Sequence, residues 1–285
     1  MTGQSFERVA VLGTGLVGGS FALAVRAASP GASVTGWDRV EVLETAVARG
    51  VITRATESLT EAVASADLVY VALPISAALE LLPEIARAAC GDALVTDACS
   101  TKAAITRAAG ELFRNGPRFL GGHPVTGREV CGIEHADAAL LRRAKYALVG
   151  DERDPRCGRF VGLLAAIGAE PVWIDAETHD WALGIVSHLP QLATVALAGV
   201  LQDETDETGL PLSLAGPGLR DALRLAGSPY AMWRDVAATN TGNIARALDR
   251  LAQAIDHLRR NLTTRALQEQ FEAANQVYKS IRQVD

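Results

Sequence analysis

The chain has 285 residues, of which 49% are hydrophobic, and a formal net charge of -6 at pH 7. That length and apolar content predict two domains with sizeable cores. The net negative charge argues against a basic surface for nucleic acid or for an anionic membrane, so we expect neither partner.

The four cysteines show neither CxxC pairing nor histidines at metal-ligand spacing, which predicts reduced thiols, no disulfide and no metal site. The first residues, MTGQSFERVAVLG, lack a charged leader followed by an apolar core. The most apolar later stretch, 181–201, is interrupted by polar residues and is predicted not to span a membrane. We therefore expect a soluble, cytoplasmic protein.

The first 175 residues alternate short β-branched or apolar runs with longer helical patterns. The candidate strands are RVAVL, SVTGW, DLVYVALP, ALVTDAC, RFLGG, YALVG and EPVWI. This alternation predicts a mostly parallel, doubly wound α/β sheet of Rossmann type, covered by helices. Runs that are apolar at nearly every position, such as 68–73, predict central strands buried on both faces.

From residue 176 the pattern becomes helical, with apolar residues three or four apart in ARALDRLAQAIDHLRR and LQEQFEAANQVYKSI. We expect a dinucleotide-binding domain over residues 1–176 and an all-helical domain over 177–285. Broad apolar helix faces in so short a segment must pack on each other, on the first domain or on another subunit, which favours a homodimer through the helical domain. The acidic stretch 202–209 predicts a solvated loop.

The segment VAVLGTGLVGGS places glycines directly after a strand and at the start of a helix. Gly13 permits the tight turn, Gly15 lets the backbone approach a pyrophosphate, and Gly18 allows the helix to pack closely on the strand. The helix N-terminus, at Leu16 and Val17, supplies N–H groups and a positive dipole to the phosphates.

Asp38 stands at the end of the second strand, twenty residues after Gly18, where a carboxylate can accept both ribose hydroxyls. Because it would repel a 2′-phosphate, it favours NAD. Arg39 follows immediately and could instead pair with that phosphate, so NADP stays open. The alternative, a glycine-rich turn in another α/β fold, is disfavoured by the strand, the helix and the acid together.

Ligands of open α/β sheets bind beyond the carboxyl ends of the strands. Leu73 and Pro74 would wall the cofactor groove or form an ordinary turn. Ser100, in TDACSTK, could cap the next helix or face the nicotinamide. His123, in FLGGHPVTGRE, is either a loop histidine or a base that takes a proton from a hydroxyl as hydride leaves the same carbon.

Four blocks of sequence are informative together: VLGTGLVGGS, DACSTK, GGHPVTGRE, and SHLPQ followed by GLRDALRLAGSPYAMWRD. In order and spacing they resemble the prephenate and arogenate dehydrogenases of tyrosine biosynthesis, over nearly the whole chain. The resemblance implies a Rossmann domain, a helical dimerisation domain and an oxidative decarboxylation to an aromatic product. It also implies that His123 accepts the proton of the ring C4 hydroxyl, while Ser100 orients that hydroxyl and the nicotinamide.

The resemblance further implies a site for the substrate carboxylates. Arg224, three residues after Asp221, matches the arginine that reaches the substrate in the family, and Arg220 lies one turn before it. His188 matches the first histidine of the family's SHLPH block and is either structural or lines the site. Without the motif, the two arginines would be interpreted as surface residues paired with acids.

Two departures from the family pattern bear on the substrate. Gln191 replaces the second histidine of that block, and it can donate a hydrogen bond but cannot become cationic. Thr126 takes the place of the usual small residue, and Arg128 occupies the position that influences side-chain specificity. Unless Arg128 points to solvent, its charge would attract the anionic side chain of prephenate and repel the ammonium of arogenate. We therefore predict an NAD-dependent prephenate dehydrogenase.

The alternatives are an arogenate dehydrogenase, an enzyme for an amino analogue of prephenate, and a non-catalytic NAD(H)-binding sensor. A sensor needs no aligned base, whereas Ser100, His123 and Arg224 are all present. A β-hydroxyacid dehydrogenase is disfavoured because it would need a helical lysine, and no lysine lies between Lys145 and Lys279.

Overall fold

The computed structural model describes residues 6–127, 130–205 and 207–282. Its strands are β1 (Arg8–Leu12), β2 (Ser33–Trp37), β3 (Arg54–Ala55), β4 (Leu68–Val71), β5 (Leu94–Asp97), β6 (Arg118–Pro124), β7 (Lys145–Val149) and β8 (Glu170–Trp173). They form one sheet in the order β3-β2-β1-β4-β5-β6-β7-β8. The seven predicted strands are all present, and the sheet gains the two-residue β3.

The sheet is parallel throughout except where β6 pairs with β7. The chain winds from β1 towards β3 on one side and from β4 towards β8 on the other, so the strand order reverses between β1 and β4. A ligand crevice is expected beyond the carboxyl ends of these two strands.

Helices cover both faces of the sheet, which confirms the predicted Rossmann-type architecture. They are α1 (Leu16–Ala28), α2 (Val40–Ala48), α3 (Leu59–Ala64), α4 (Ile75–Ala88), α5 (Ala103–Leu112) and α6 (Pro155–Ala166). Neighbouring residues of β4 enter different cores: Tyr70 belongs to the cluster that contains Phe21 of α1, and Val69 to the cluster that contains Leu82 of α4. This explains why β4 is apolar at every position.

The rest of the chain is helical, and no strand occurs among the described residues beyond 173. It comprises α7 (Ala176–Leu183), a π-helical turn (Gly184–His188), α8 (Leu189–Asp203), α9 (Leu210–Ser213), α10 (Pro217–Leu223), a 3-10 turn (Arg224–Gly227), α11 (Tyr230–Thr239), α12 (Thr241–Arg260) and α13 (Arg265–Arg282). The predicted loop at 202–209 is too long at its start, because α8 continues to Asp203.

The continuous helical stretch Ala176–Asp203 is long and apolar enough to cross a membrane by length and composition alone. A helix that packs on protein passes the same test. Here α8 contacts α10, α12 and the 3-10 turn, and its buried residues include Gln191 and Thr194. Polar groups on the packed face fit a protein neighbour better than lipid.

The helical part caps two helices of the sheet part. Asp180 of α7 accepts the backbone N–H groups of Lys102, at 2.7 Å, and Ala103, at 2.9 Å, where α5 begins. Asp235 of α11 accepts the backbone N–H of Ser76 at 2.9 Å and its hydroxyl at 2.6 Å, where α4 begins. Both helices start at carboxyl ends of central strands, so these contacts lock the helical part onto the crevice side of the sheet.

Candidate active site

The glycine turn between β1 and α1 is built for close backbone packing at two positions and for open space at a third. Gly13 has a φ of +89°, and a Cβ there would lie 2.4 Å from the carbonyl oxygen of Ala72. At Gly18 a Cβ would lie 1.9 Å from the carbonyl oxygen of Gly13. Nothing among the described residues lies within 4 Å of the equivalent point at Gly15. A ligand can therefore approach the backbone at Gly15.

The N-terminus of α1 suits an anion. Its first residues are Leu16 and Val17, no described side chain caps it, and its first turn carries no acid. The first N–H groups of a helix have no intrahelical acceptor, and with the helix dipole they attract phosphate.

The acid at the end of β2 lies against this turn. One oxygen of the half-buried Asp38 accepts the backbone N–H of Thr14 at 2.6 Å, and the other accepts the N–H of Arg39 at 2.8 Å. Arg39 is exposed at the start of α2. On the other side of the point where the strand order reverses, the half-buried Leu73 and the exposed Pro74 lie between β4 and α4. The structure thus gathers the predicted dinucleotide-binding residues around one crevice.

His123 lies near the end of β6 and is 8% exposed. Its Nδ1 is 2.9 Å from Nε2 of His179, and Nδ1 of His179 is 2.8 Å from a carboxylate oxygen of Asp180. Because an ionised carboxylate only accepts, the network fixes both tautomers: His179 donates to Asp180, and His123 donates to His179. This leaves the Nε2 lone pair of His123 available to accept a proton.

We call His123, His179 and Asp180 the relay. The surroundings of these residues keep them in the charge states that proton transfer requires. Burial, together with the neighbouring His179 and Lys102, holds the pKa of His123 well below its usual range. Burial alone would raise the pKa of Asp180, but hydrogen bonds from His179 and from the first N–H groups of α5 lower it. At neutral pH the base is uncharged and the acid is ionised.

Ser100 is half-buried in the loop between β5 and α5. Of the two roles the sequence allows for it, the helix-capping role falls to another residue, because Asp180 accepts the first N–H groups of α5. Ser100 therefore stays a candidate for contact with cofactor and substrate.

His188 ends the π-helical turn and is 1% exposed. Its Nδ1 is 3.1 Å from the side-chain nitrogen of Asn240, which also donates to the backbone carbonyl of Asp180 at 2.7 Å. Burial lowers the pKa of His188 to about 4. The ring is thus a neutral, interior group that connects α8 to the relay, which favours the structural one of its two predicted roles.

Gln191 is 3% exposed, and both ends of its amide are engaged. The nitrogen donates to the carbonyl oxygen of Leu225 at 2.8 Å, and the oxygen accepts from the hydroxyl of Ser228 at 3.3 Å. These contacts hold the 3-10 turn that begins at Arg224. Each end of the amide therefore makes one bond to the protein, and contact of Gln191 with a ligand stays a prediction.

The other predicted substrate residues that the structure describes lie in three places. Arg224 and Arg220 are exposed, at the 3-10 turn and in α10. The half-buried Thr126 donates to the carbonyl oxygen of Leu140 at 3.2 Å. Arg128 lies outside the described residues.

Sequence reasoning missed His179, Asp180, Asp97 and Lys102. The last two belong to the block DACSTK, and they form an ion pair in which both side chains are fully buried. A charged residue that follows a buried strand by only a few positions was the available signal for this pair. His179 and Asp180 gave none, because only the docking of α7 brings them to β6.

Comparison with known proteins agrees with the fold. The family model described as prephenate dehydrogenase, nucleotide-binding domain, matches residues 21–170, and the one described as prephenate dehydrogenase, dimerization domain, matches 175–276. The chain is 32% identical over 280 residues to the prephenate dehydrogenase of Lactococcus lactis subsp. cremoris, covering 96% of this chain and 77% of that protein.

Two solved structures share the whole architecture. Prephenate dehydrogenase from A. aeolicus, in complex with hydroxyphenyl propionate and NAD+, aligns with a TM-score of 0.89 at 27% identity, over 99% of both chains. Arogenate dehydrogenase from Synechocystis aligns with a TM-score of 0.81 at 26% identity, over 98% of this chain and all of that one.

Proposed function

The chain belongs to the prephenate dehydrogenase family, and on that premise we propose that it converts prephenate to 4-hydroxyphenylpyruvate with NAD. The observation that carries the proposal is the buried His123, whose Nδ1 is tied to His179 while its Nε2 can accept a proton. A base held in one tautomer is what oxidation of a ring hydroxyl requires.

NAD fits the crevice between β1 and β4. The open position at Gly15 and the N-terminus of α1 would receive the pyrophosphate, and Asp38 would accept the ribose hydroxyls. The carboxylate would repel the extra phosphate of NADP. When bound, the nicotinamide supplies a hydride acceptor.

The chain's own part in the reaction is proton transfer and alignment. His123 takes the proton of the C4 hydroxyl at Nε2, and the positive charge that develops on its ring is stabilised through His179 by the Asp180 carboxylate. Ser100 would orient the same hydroxyl. As hydride leaves C4, the ring gains a carbonyl that draws electrons from the bond to the ring carboxylate, so carbon dioxide departs and the ring becomes aromatic.

The remaining anionic groups call for arginine. We assign Arg224 to a substrate carboxylate and Arg220 to a supporting position one helical turn earlier, because a planar guanidinium matches carboxylate geometry. Gln191 acts indirectly, since its amide holds the turn that carries Arg224. Thr126 and Arg128 would lie near the side chain of the substrate, where Arg128 favours prephenate over arogenate.

We also propose a homodimer formed by the helical part, which matches the family's dimerization domain. Large apolar side chains on α13 are exposed in the single chain, among them Phe271 at 63% and Ile281 at 65%. A second subunit would bury them. A cytoplasmic location remains a prediction.

One assay tests reaction, substrate and cofactor together: reduced-cofactor absorbance with prephenate or arogenate and with NAD or NADP. We expect the highest kcat/KM with prephenate and NAD, and a loss of roughly 10²–10⁴ in kcat for His123→Asn. His135→Asn, which changes an exposed histidine, is the matched control. A higher kcat/KM with arogenate would show that arogenate is the substrate. Full turnover by His123→Asn would show that His123 is not the catalytic base.

A further inference from the structure

The residue before the base is held at both of its peptide groups by the buried ion pair of Asp97 and Lys102. The backbone N–H of Gly122 donates to Asp97 at 2.9 Å, and its carbonyl oxygen accepts from the Lys102 ammonium at 2.7 Å. There is no room for a side chain at position 122, because a Cβ there would lie 2.4 Å from the carbonyl oxygen of Asp97. The main chain that carries His123 is therefore clamped to β5.

The same lysine also reaches the ring of the base. Its backbone N–H donates to Asp180 at 2.7 Å, Asp180 accepts from His179, and Nε2 of His179 lies 2.9 Å from His123. With the contact to Gly122, these bonds close a ring that begins and ends at Lys102. One residue thus fixes the backbone of the base through its side chain, and the imidazole of the base through its own backbone.

Stability alone does not account for a pair in this place. Lys102 and Asp97 are both fully buried, and the cost of removing two charges from water offsets most of their attraction. The pair is better explained by its two hydrogen bonds to Gly122, which hold the backbone next to His123.

We propose that Lys102 is a positioning residue for the base, because its ammonium clamps the strand that carries His123. As a buried cation near the imidazole, it also favours the uncharged ring. The catalytic meaning of this inference rests on the proposed function, but the electrostatic part does not, because it can be measured without substrate.

The charged and titratable groups around His123 come from several elements. His179 on α7, Lys102 before α5 and His188 in the π-helical turn act on its ring directly. Asp97 on β5 pairs with Lys102, and Asp180 on α7 accepts from His179. Besides burial and His179, the charge of Lys102 contributes to the low pKa of His123. Removal of the cation leaves the Asp97 anion, which acts in the opposite direction.

The test is a pH titration of the His123 ring by NMR in the full chain, with histidine labelled at one ring carbon. The chain has only 5 histidines, and His123→Asn identifies the signal. We expect Lys102→Met to raise the pKa of His123 by about one unit, and Asp97→Asn not to raise it. Lys145→Met, which breaks an exposed pair with Glu170, is the control and should change nothing.

An unchanged pKa in Lys102→Met, or a rise in both single variants, would overturn the inference. If Lys102→Met does not fold, the double variant with Asp97→Asn removes both buried charges, and its His123 pKa must still lie above that of the wild type. The acid limb of kcat/KM with prephenate should move with the NMR value. Should the wild type fail to turn over prephenate, the proposed function fails while the titration still decides the role of Lys102.

Discussion

Replacement of Asp180 by asparagine separates the structural and catalytic roles of the relay. The carboxylate accepts three hydrogen bonds, from the N–H groups of Lys102 and Ala103 and from the ring of His179. An amide has one acceptor oxygen, so its NH2 group must face a former donor. Loss of a bond to a charged acceptor costs about 1.5–3 kcal/mol, and weakening of the α5 cap costs about 1 kcal/mol. We expect Asp180→Asn to lose about 3 kcal/mol of unfolding free energy at pH 7.

This loss should depend on pH with a definite sign. Because the pKa of Asp180 is lower in the folded chain than in the unfolded one, its ionised form stabilises the fold above the ordinary aspartate range. That contribution disappears as the pH falls through the lowered pKa. Denaturant titrations of both proteins should therefore show the full gap at pH 7 and a shrinking gap below about pH 4. A gap of equal size at both pH values would refute the reasoning.

The catalytic effect follows from the lost charge. One carboxylate oxygen accepts from both Lys102 and His179 and the other from Ala103, so an amide keeps two of the three bonds when its NH2 faces Ala103. The tautomers are then unchanged, but the anion that stabilises the positive charge on His123 is gone, and we expect kcat to fall roughly 10²–10³-fold with little change in the KM for NAD. Asp175→Asn is a matched control, since Asp175 caps α7 from an exposed position. If both variants lose the same activity, the relay is not catalytic.

Four further outcomes are expected. Gly15→Ala should fold normally and raise the KM for NAD about tenfold, whereas Gly18→Ala, whose Cβ would lie 1.9 Å from a carbonyl oxygen, should lose about 2 kcal/mol of unfolding free energy in denaturant titrations. Arg224→Ala should raise the KM for prephenate about 10–100-fold, and an unaltered KM would contradict its assignment. Asp235→Ala removes the acceptor of two hydrogen bonds at the start of α4 and should lower the Tm measured by calorimetry by several degrees. This corresponds to a loss of roughly 1–3 kcal/mol of unfolding free energy. Because burial holds the pKa of His123 well below the ordinary histidine value, kcat/KM should stay flat through the ordinary histidine range and fall only below it, and a decline that begins at pH 7 would count against a desolvated base.

The sequence was sufficient for features that depend on local pattern. Apolar runs predicted seven strands, but β3 has only two residues and no periodicity to detect. The glycine spacing with Asp38 predicted a dinucleotide crevice, and the structure places Asp38 against the glycine turn. His123 was identifiable because its position follows from the end of a strand.

Features that depend on tertiary docking were out of reach. His123 and His179 are 56 residues apart, and their contact exists only because α7 packs against the end of β6. Gln191 illustrates a different limit: its place in a block predicted contact with substrate, but it gave no sign of the bonds to Leu225 and Ser228. A motif gives the position of a side chain along the chain, but not which of its hydrogen-bonding groups are already used.

The two aspartates that cap α4 and α5 from the helical part also bear on how this protein folds and how it can be engineered. A fragment that ends near residue 175 would contain both helices without their acceptors, Asp180 and Asp235. Water would have to satisfy those N–H groups, at the very edge where NAD is expected. The cofactor-binding half should therefore be a poor module to express alone. Chimaeras between relatives should succeed when each sheet keeps the helical partner that caps it, and local unfolding of α7 should disorder the crevice before the sheet melts.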